Sequence, residues 1–299
     1  MSRMNQSDFQ ALVNELKFRF QLMFGLNYPT YERQFTKFFQ TINSDKNAEK
    51  YLELTNFGYV PQIREDGSVH YTKAGEGLAT TLVNVYYALG FELTRQLMDN
   101  NPIALAEMYM RELMDSMERT KEIVGANILN RATNADYTYA DGKVLLATDH
   151  PLSGGAGTFS NRLTNFAQFS QTSSEDLSTK IRQEGRDSAG KKKAIKSELY
   201  IFPPALENEA KRVFGSEKEV SSANNAINPV YGSQWAIWDE LTDDSRWFVK
   251  TNIKGAVFQD RNAPDVSTDV VFDKLDAMKT RIDSAFVFGI YDPRCVFGG

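Results

Sequence analysis

Sulfur and imidazole side chains are scarce in this 299-residue chain, which contains one cysteine and two histidines. The single thiol, Cys295, excludes a disulfide within the chain and a zinc site built from several cysteines. A Cys/His site would have to gather His70, His150 and Cys295 from distant positions, and no D-x-D-x-D-G calcium loop occurs among the 39 acidic residues. The sequence therefore predicts no metal centre and no cofactor site.

Long apolar runs are also missing, since none approaches the ~18 residues that a membrane span requires. Charged residues interrupt the apolar positions near the N-terminus, among them Asp8, Glu15 and Lys17. A secretory signal is therefore not expected. These patterns predict a cytosolic product without an export signal or a membrane anchor.

Basic residues are fewer than acidic ones, 34 against 39, which gives a formal net charge of −5. An acidic chain is poorly suited to gripping nucleic acid through a broad basic face. The densest basic run, at residues 191–196 with Arg182 and Arg186 upstream, contains no aromatic side chains that could stack on bases. We expect a solvated loop there, with a phosphate contact as the less favoured alternative.

The chain contains enough apolar residues to form a sizeable core, since 41% of its residues are hydrophobic and 12% are aromatic. At roughly 150 residues per domain, its length predicts about two structural units. Near the N-terminus, two sets of apolar residues have helical spacing and predict short amphipathic pieces. The first set is Phe9, Leu12, Val13 and Leu16, and the second is Tyr31, Phe35, Phe38, Phe39 and Ile42.

A β-hairpin is predicted between these pieces and the middle of the chain. Residues 83–93 alternate with the period of two that is typical of a strand. Upstream, residues 57–63 precede Asp66-Gly67, which is among the strongest hairpin-turn signals, and His70 is interpreted as a cross-strand residue. Because a lone hairpin is marginally stable and its edges invite pairing, we expect it to lie on another surface, with a neighbouring copy of this chain as a candidate.

The clearest helical pattern covers residues 102–131, where Pro102 suits the first turn and the apolar stripe is broken by Lys121. Its methionines are interpreted as a core stripe rather than as ligands: Met108, Met110, Met114 and Met117. Further patterns predict strands at 144–146, 199–202, 247–249, 256–258 and 278–290, and helices at 174–183 and 205–214. Residues between the long helix and the strand-rich tail are expected to form a compact α+β unit.

One stretch, DHPLSGGAG at residues 149–157, contains residue types of an active site. Asp149, His150 and Ser153 could supply a nucleophile and its base, but adjacent residues rarely align for a proton relay, and no G-x-S-x-G elbow is present. The glycines lack the lysine of a phosphate-binding loop, while they permit a sharp turn. We therefore interpret the stretch as a structural junction with a hydrogen-bonded His150, and we assign no catalytic residue.

Five short sequence motifs, together with the predicted order of the helices and strands, indicate a resemblance to known proteins. They are LATDHP at 146–151, GTFSN at 157–161, YIFPPALE at 200–207, NAINP at 225–229 and Trp247-Phe248. From about residue 50 to its end, the chain resembles the major capsid proteins of tailed bacteriophages with the Hong Kong 97-type fold, in particular the Mu-like major head subunit branch. The resemblance implies an α+β fold in five parts: an N-terminal arm (1–50), an extended β-hairpin loop (51–95), a peripheral domain with a spine helix (96–150), an axial domain (151–245) and return strands (246–299).

The resemblance also implies a non-enzymatic function. In that family, copies of the protein self-assemble into hexamers and pentamers that form an icosahedral shell around double-stranded DNA, and the extended loop lies across the neighbouring subunit. Portal, scaffold or decoration proteins and non-specifically bound DNA are implied as partners, in a virion assembled in the host cytoplasm. Two other hypotheses stay open: an encapsulin-like nanocompartment of the same fold, and a hydrolase that uses His150 and Ser153.

Overall fold

The computed structural model describes residues 6–54, 60–63, 67–69, 71, 76–98, 102–152, 155, 157–219, 226–271 and 277–299. Its α-helices are α1 (Gln6–Asn27), α2 (Phe35–Phe38), α3 (Arg95–Met98), α4 (Pro102–Asn130), α5 (Gln171–Glu184) and α6 (Glu207–Gly215). Its strands are β1 (Gln40–Asn43), β2 (Ala48–Leu54), β3 (Glu76–Val83), β4 (Val85–Thr94), β5 (His150–Pro151), β6 (Thr158–Phe159), β7 (Ser197–Phe202), β8 (Trp235–Ile237), β9 (Phe248–Thr251), β10 (Ala256–Val271), β11 (Ala277–Ile290) and β12 (Val296–Gly298).

The long helix α4 is confirmed almost to the residue, because its apolar side chains recur at helical spacing and bury one face. Met110, Met114 and Met117 lie in the core, as predicted. The core assignment is wrong for Met108, which is exposed because it lies about 200° around the helix from Met110. Lys121 does not break the buried stripe, since its side chain is itself buried.

The first sheet has the strand order β1-β10-β11-β4, with β1 parallel to β10 and the other pairs antiparallel. Helices α1 and α4 both contact it, and the apolar residues between sheet and helices form one hydrophobic cluster. Gly125 of α4 allows a close approach there, because a Cβ atom at this position would lie only 3.1 Å from Phe288 Cε1. This cluster joins the N-terminal helices to the predicted tail strands, which are confirmed as β10 and β11.

The second sheet has the order β12-β9-β7-β8 and carries its own hydrophobic cluster with α5 and α6. The predicted helices and strands of residues 174–249 are confirmed with small shifts of their ends. Helix α5 begins at a capping box, in which Ser170 accepts the Ser173 N–H and Ser173 accepts the Ser170 N–H. Trp247 and Phe297 bring the tail of the chain into this second cluster.

The hairpin runs out along β2 and returns along β3, and these strands pair antiparallel from Ala48 and Val83 to Leu54 and Glu76. The predicted excursion is therefore confirmed at its base. Residues 60–63 are not in a strand, so that part of the predicted outgoing strand is wrong. Asp66 and His70 lie outside the described residues.

Three local predictions are wrong because specific hydrogen bonds override the apolar pattern. The single strand at 83–93 is divided at Asn84, whose N–H and side-chain amide donate to Asn47 O and Lys46 O. The strand predicted at 144–146 is absent, because the Asn161 side-chain amide, and not a neighbouring strand, donates a hydrogen bond to Leu145 O. The second amphipathic piece is helical only at Phe35–Phe38, because β1 then pairs with β10.

Candidate functional site

The DHPLSGGAG stretch closes a small turn at the junction between the two hydrophobic clusters. Strands β5 and β6 pair across it, and Leu152 N–H donates to Gly157 O at 3.0 Å. Gly157 has φ 104°, a conformation that favours glycine. Ser153 lies outside the described residues. The glycines therefore support chain reversal at this position.

His150 is fully buried at the start of this turn. Its Nδ1 lies 2.5 Å from Asp141 Oδ2, and its Nε2 lies 3.2 Å from both Leu145 O and Asn161 Oδ1. The ring stacks on Phe159 with 5.0 Å between centroids. Both ring nitrogens are occupied by groups of the protein and the ring is closed off from solvent, so this geometry does not suit a base that takes a proton from a substrate hydroxyl.

The two acids near His150 have different positions. Asp149 is exposed and pairs with Lys143, whose hydrogen bond lowers the pKa of the Asp149 carboxyl. Asp141, with a buried side chain, takes the position beside the ring that a relay would need. No periodic signal in the sequence marks Asp141 as a partner of this histidine.

Asn161 connects the junction to the C-terminal residues. Its Oδ1 accepts the Ala147 N–H at 2.9 Å, and its Nδ2 donates to Leu145 O at 2.6 Å. The same amide lies 3.2 Å from Pro293 O and 3.3 Å from Val296 O. The motifs around His150 and Asn161 thus hold the end of the α4 region against β12, which is a structural role.

We expect Asn161→Ala to lower the free energy of unfolding by about 3 kcal/mol, since each buried polar group left without a partner costs roughly 1 to 3 kcal/mol. Chemical denaturation of the purified subunit measures this change. The control is Asn262→Ala, which removes an exposed amide and should change stability by less than about 0.5 kcal/mol. Equal effects of the two substitutions would contradict the role given to Asn161.

A row of three carboxylates on α4 holds the N-terminal segment: Asp115, Glu118 and Glu122. The Tyr31 hydroxyl donates to Asp115, and Arg33 Nε donates to Glu118 Oε2 at 2.7 Å. Spacings of three and four residues place these acids on one helix face. The acids therefore fasten residues 31–35 along the helix.

Glu122 caps the start of α2. Its carboxylate accepts the N–H groups of Gln34 and Phe35 at 2.7 and 3.1 Å, and Trp238 Nε1–H at 2.9 Å. Burial raises the pKa of Glu122, although these donors oppose the change. The carboxylate thus joins α4, the N-terminal segment and the residue that follows β8.

Lys121 lies beside this row and is buried with 2% of its surface exposed. Its Nζ lies 3.1 Å from the Tyr28 hydroxyl and 3.3 Å from Glu118 Oε1. Burial lowers the pKa of Lys121, and the charge of Glu118 opposes that change. Burial alone would raise the pKa of Glu118, but the Arg33 hydrogen bond and the Lys121 charge hold it below its ordinary value. The sequence indicated only a break in the stripe at this position.

The predicted basic run lies at the turn after α5. Its Lys192, Lys193 and Lys196 side chains are exposed, while Lys191 has interactions within the protein. Asp187 Oδ1 accepts the N–H groups of Ala189 and Lys191 and shapes the turn. The run is a solvated loop with a local structural basis.

The far part of the hairpin loop carries large apolar side chains in solvent. Val60 and Tyr71 are 94% and 88% exposed, and Ile63 and Val69 are 45% and 57% exposed. Contiguous exposed apolar surface commonly marks an interaction site. Strand β4, an edge of the first sheet, adds exposed Val85 and Leu89.

The part of the chain that the structure describes has neither a candidate metal site nor a candidate membrane span. That part contains no group of three or more His, Cys, Asp or Glu side chains that could hold a metal ion. It contains no helix long and apolar enough to cross a membrane. Cys295 is buried, and burial raises the pKa of its thiol, so this group is not an activated nucleophile.

Comparison with known proteins provides the family. Residues 79–298 match the family described as phage capsid protein, which covers well over half of the chain. The chain belongs to the phage capsid protein family. No curated protein sequence matches it. The matched region begins within the hairpin and includes the second sheet, strands β4, β10 and β11 of the first sheet, and the spine helix α4 of this capsid protein.

Solved phage capsids have a similar fold. The cyanophage P-SCSP1u capsid has a TM-score of 0.58 at 9% identity, with 89% of this chain and 87% of that chain covered. Mycobacterium phage Che8 gives 0.56 at 12% identity, covering 90% and 91%. The bacteriophage JBD30 capsid gives 0.51 at 12% identity, covering 99% and 73%. The α+β Hong Kong 97-type capsid fold is confirmed, whereas the Mu-like branch stays a prediction.

Proposed function

We propose that this capsid protein assembles into hexamers and pentamers that close an icosahedral shell around double-stranded DNA. The observation that carries the proposal is the exposed apolar surface of four side chains of the hairpin loop, Val60, Ile63, Val69 and Tyr71. Those side chains are not covered by the body of the subunit, and apolar burial is the main driving force of association. A neighbouring copy of the same chain would cover them in a capsomer.

We also propose the five-part division of the chain. The second hydrophobic cluster supports an axial domain at 151–245, since most of its members lie there and only the ends of the tail join it. The first cluster, with α1, α4, β10 and β11, supports a peripheral domain to which the N-terminal arm is attached. The paired strands β2 and β3 support an extended loop within residues 51–95.

The subunit is proposed to act without catalysis, since the closest approach to an active site, His150, is held by structural hydrogen bonds. We infer that contacts with packaged DNA are non-specific and few, because a chain of net charge −5 offers little phosphate binding. Portal, scaffold or decoration proteins are proposed partners in the virion, with assembly in the host cytoplasm.

Sedimentation and electron microscopy of the purified full chain test this function. We expect capsomer rings or closed shells of uniform diameter under at least one assembly condition. A monomer that persists at every protein and salt concentration, and with crowding agents, would contradict the proposal. Particles from infected cells distinguish the alternative, because packaged DNA supports a virion and an enclosed enzyme supports a nanocompartment.

A further inference from the structure

The docked part of the hairpin is held on the body of the subunit by a group of contacts that we call the hairpin anchor. It consists of Tyr51 and Glu53 on β2 and of Tyr291, Asp292 and Arg294 after β11. Glu53 lies one residue before the end of β2, next to the position where the described ladder ends. The anchor is therefore the last described attachment before the loop leaves the body.

Arg294 is the centre of the anchor and joins separate parts of the chain. Its Nη2 donates to Glu53 on the hairpin, and its Nε donates to Asp292 Oδ1 at 2.9 Å. Its Nη1 donates to Arg186 O, at the end of α5, at 3.2 Å. The guanidinium carbon lies 5.6 Å from the Phe159 ring, which stacks on His150. One side chain thus contacts the hairpin, the second sheet region and the junction.

Aromatic and apolar contacts support the same docked position. The Tyr51 and Tyr291 rings stack with 5.0 Å between centroids and an interplanar angle of 6°. Leu82 of β3 covers Gly289, where an added Cβ atom would lie only 2.4 Å from Leu82 Cδ2. These contacts fix where the hairpin lies on the body of the subunit. The planar, rigid guanidinium group of Arg294 fixes the angle between the hairpin and that body.

The charge of Arg294 favours the docked position of the hairpin over other positions. Its side chain is 9% exposed and that of Glu53 is 19% exposed, so the pair is shielded from solvent. A hairpin that swings away would leave Arg294 with Asp292 but without Glu53. Because a buried charge that loses a partner is costly, the docked angle is favoured over others.

We propose that Arg294 is a positioning residue for assembly, which sets the angle at which the extended loop leaves the subunit. The inference rests on the proposed shell function, because the angle matters only if the loop must reach a neighbour. A loop released from Glu53 samples several angles, and only a fraction of subunits then presents it in the orientation that closes a shell.

Glu53→Gln and Arg294→Lys test this proposal in the full chain. The first substitution removes one charge from the anchor, and the second keeps the charge but removes the planar fork. We expect the yield of closed shells with wild-type diameter to fall about tenfold in both variants, the change that about 1.4 kcal/mol in the orientation equilibrium produces. Far-UV circular dichroism should stay unchanged.

The matched control is Glu49→Gln, on the same face of β2, because Glu49 pairs only with the nearby Ser44 and Lys46 in the described contacts. It should assemble like the wild type. Hydrogen exchange of unassembled subunits gives a second measurement: β2 amides should exchange faster in Glu53→Gln while α4 amides do not. Normal shells from both anchor variants, or an equal loss in the control, would overturn the proposal. Absence of shells from the wild type would instead contradict the shell function.

Discussion

Glu118→Ala is expected to lower the free energy of unfolding by about 3 to 5 kcal/mol, the cost of leaving a buried charge without its partner. Lys121 is the group left behind, since it reaches Glu118 Oε1 at 3.3 Å, and its other neighbours are the hydroxyl and ring of Tyr28 and the ring of Phe286. The Asp260 carboxylate also stabilises its charge but makes no hydrogen bond to it among the described contacts. Arg33 also loses its carboxylate partner. The N-terminal segment should therefore loosen from α4 together with the loss of stability.

Two further variants make this prediction specific. Glu112→Ala removes an exposed acid from the same helix and should change stability by less than about 0.5 kcal/mol. In the double variant Glu118→Ala/Lys121→Met, both members of the buried pair are gone, and most of the stability should return. Urea denaturation of unassembled subunits measures all three. An effect of Glu118→Ala no larger than that of Glu112→Ala would contradict the account.

The same pair predicts a pH dependence. The folded pKa of Glu118 is below its ordinary value of 4.5, so its contribution to stability is complete above about pH 4.5 and is lost as pH falls through the lower folded pKa. The stability difference between wild type and Glu118→Gln should therefore shrink as pH falls below 4.5. Burial raises the pKa of Asp260 and the Glu118 charge adds to this change, so Asp260 acts in the opposite direction and makes the expected decrease smaller.

Removing the projecting loop is expected to abolish shell assembly while the subunit still folds. Leu54 and Glu76 are partners in the β2–β3 ladder, so an Asn-Gly turn inserted between them can replace residues 55–75 without changing the register. The hairpin anchor and both hydrophobic clusters are retained. Sedimentation should then show capsomer precursors or monomers in place of closed shells.

A full-length variant separates loop chemistry from loop length. Val60, Ile63, Val69 and Tyr71 are each replaced with serine, which keeps the chain length and removes the exposed apolar surface. We expect a strong loss of closed shells with little change in the thermal unfolding transition, because these side chains are 45% to 94% exposed in the isolated subunit and none belongs to a hydrophobic cluster of the described residues. Normal assembly of both loop variants would show that the loop is not a subunit contact.

Periodicity predicted the elements whose pattern is local and long. Helix α4 and strands β4 and β11 followed from apolar repeats that match the helical and strand periods, whereas β10 was predicted only at residues 256–258 of its full length. In α4 the repeat coincides with the buried face. In β4 the repeat marked a strand, but Val85 and Leu89 on its apolar face are exposed.

Predictions failed where distant side chains decide the structure. The sequence predicted that Lys121 interrupts the apolar stripe of α4, and only the three-dimensional fold brings Tyr28 and Glu118 to its ammonium group. Asn161 suppresses the strand expected at 144–146 by bonding to Leu145 O. Such hydrogen bonds connect residues far apart in sequence and leave no periodic trace.

The junction shows the same limit in the candidate site. Residue types offered Asp149 as a partner for His150 while their adjacency argued against it, and the fold places Asp141 against the ring and Asp149 in solvent. The motifs that carry the family resemblance include part of this stretch, but they do not say what its residues do. Its structural role became clear only from the bonds of Asn161 to the C-terminal residues.

A three-dimensional reconstruction of assembled particles by electron cryomicroscopy tests the central claim most directly. The account predicts closed shells in which residues 60–71 of one subunit lie against the body of the next, with Arg294 and Glu53 in contact at the base of each loop. Particles in which every loop points into solvent or contacts only its own subunit would contradict it.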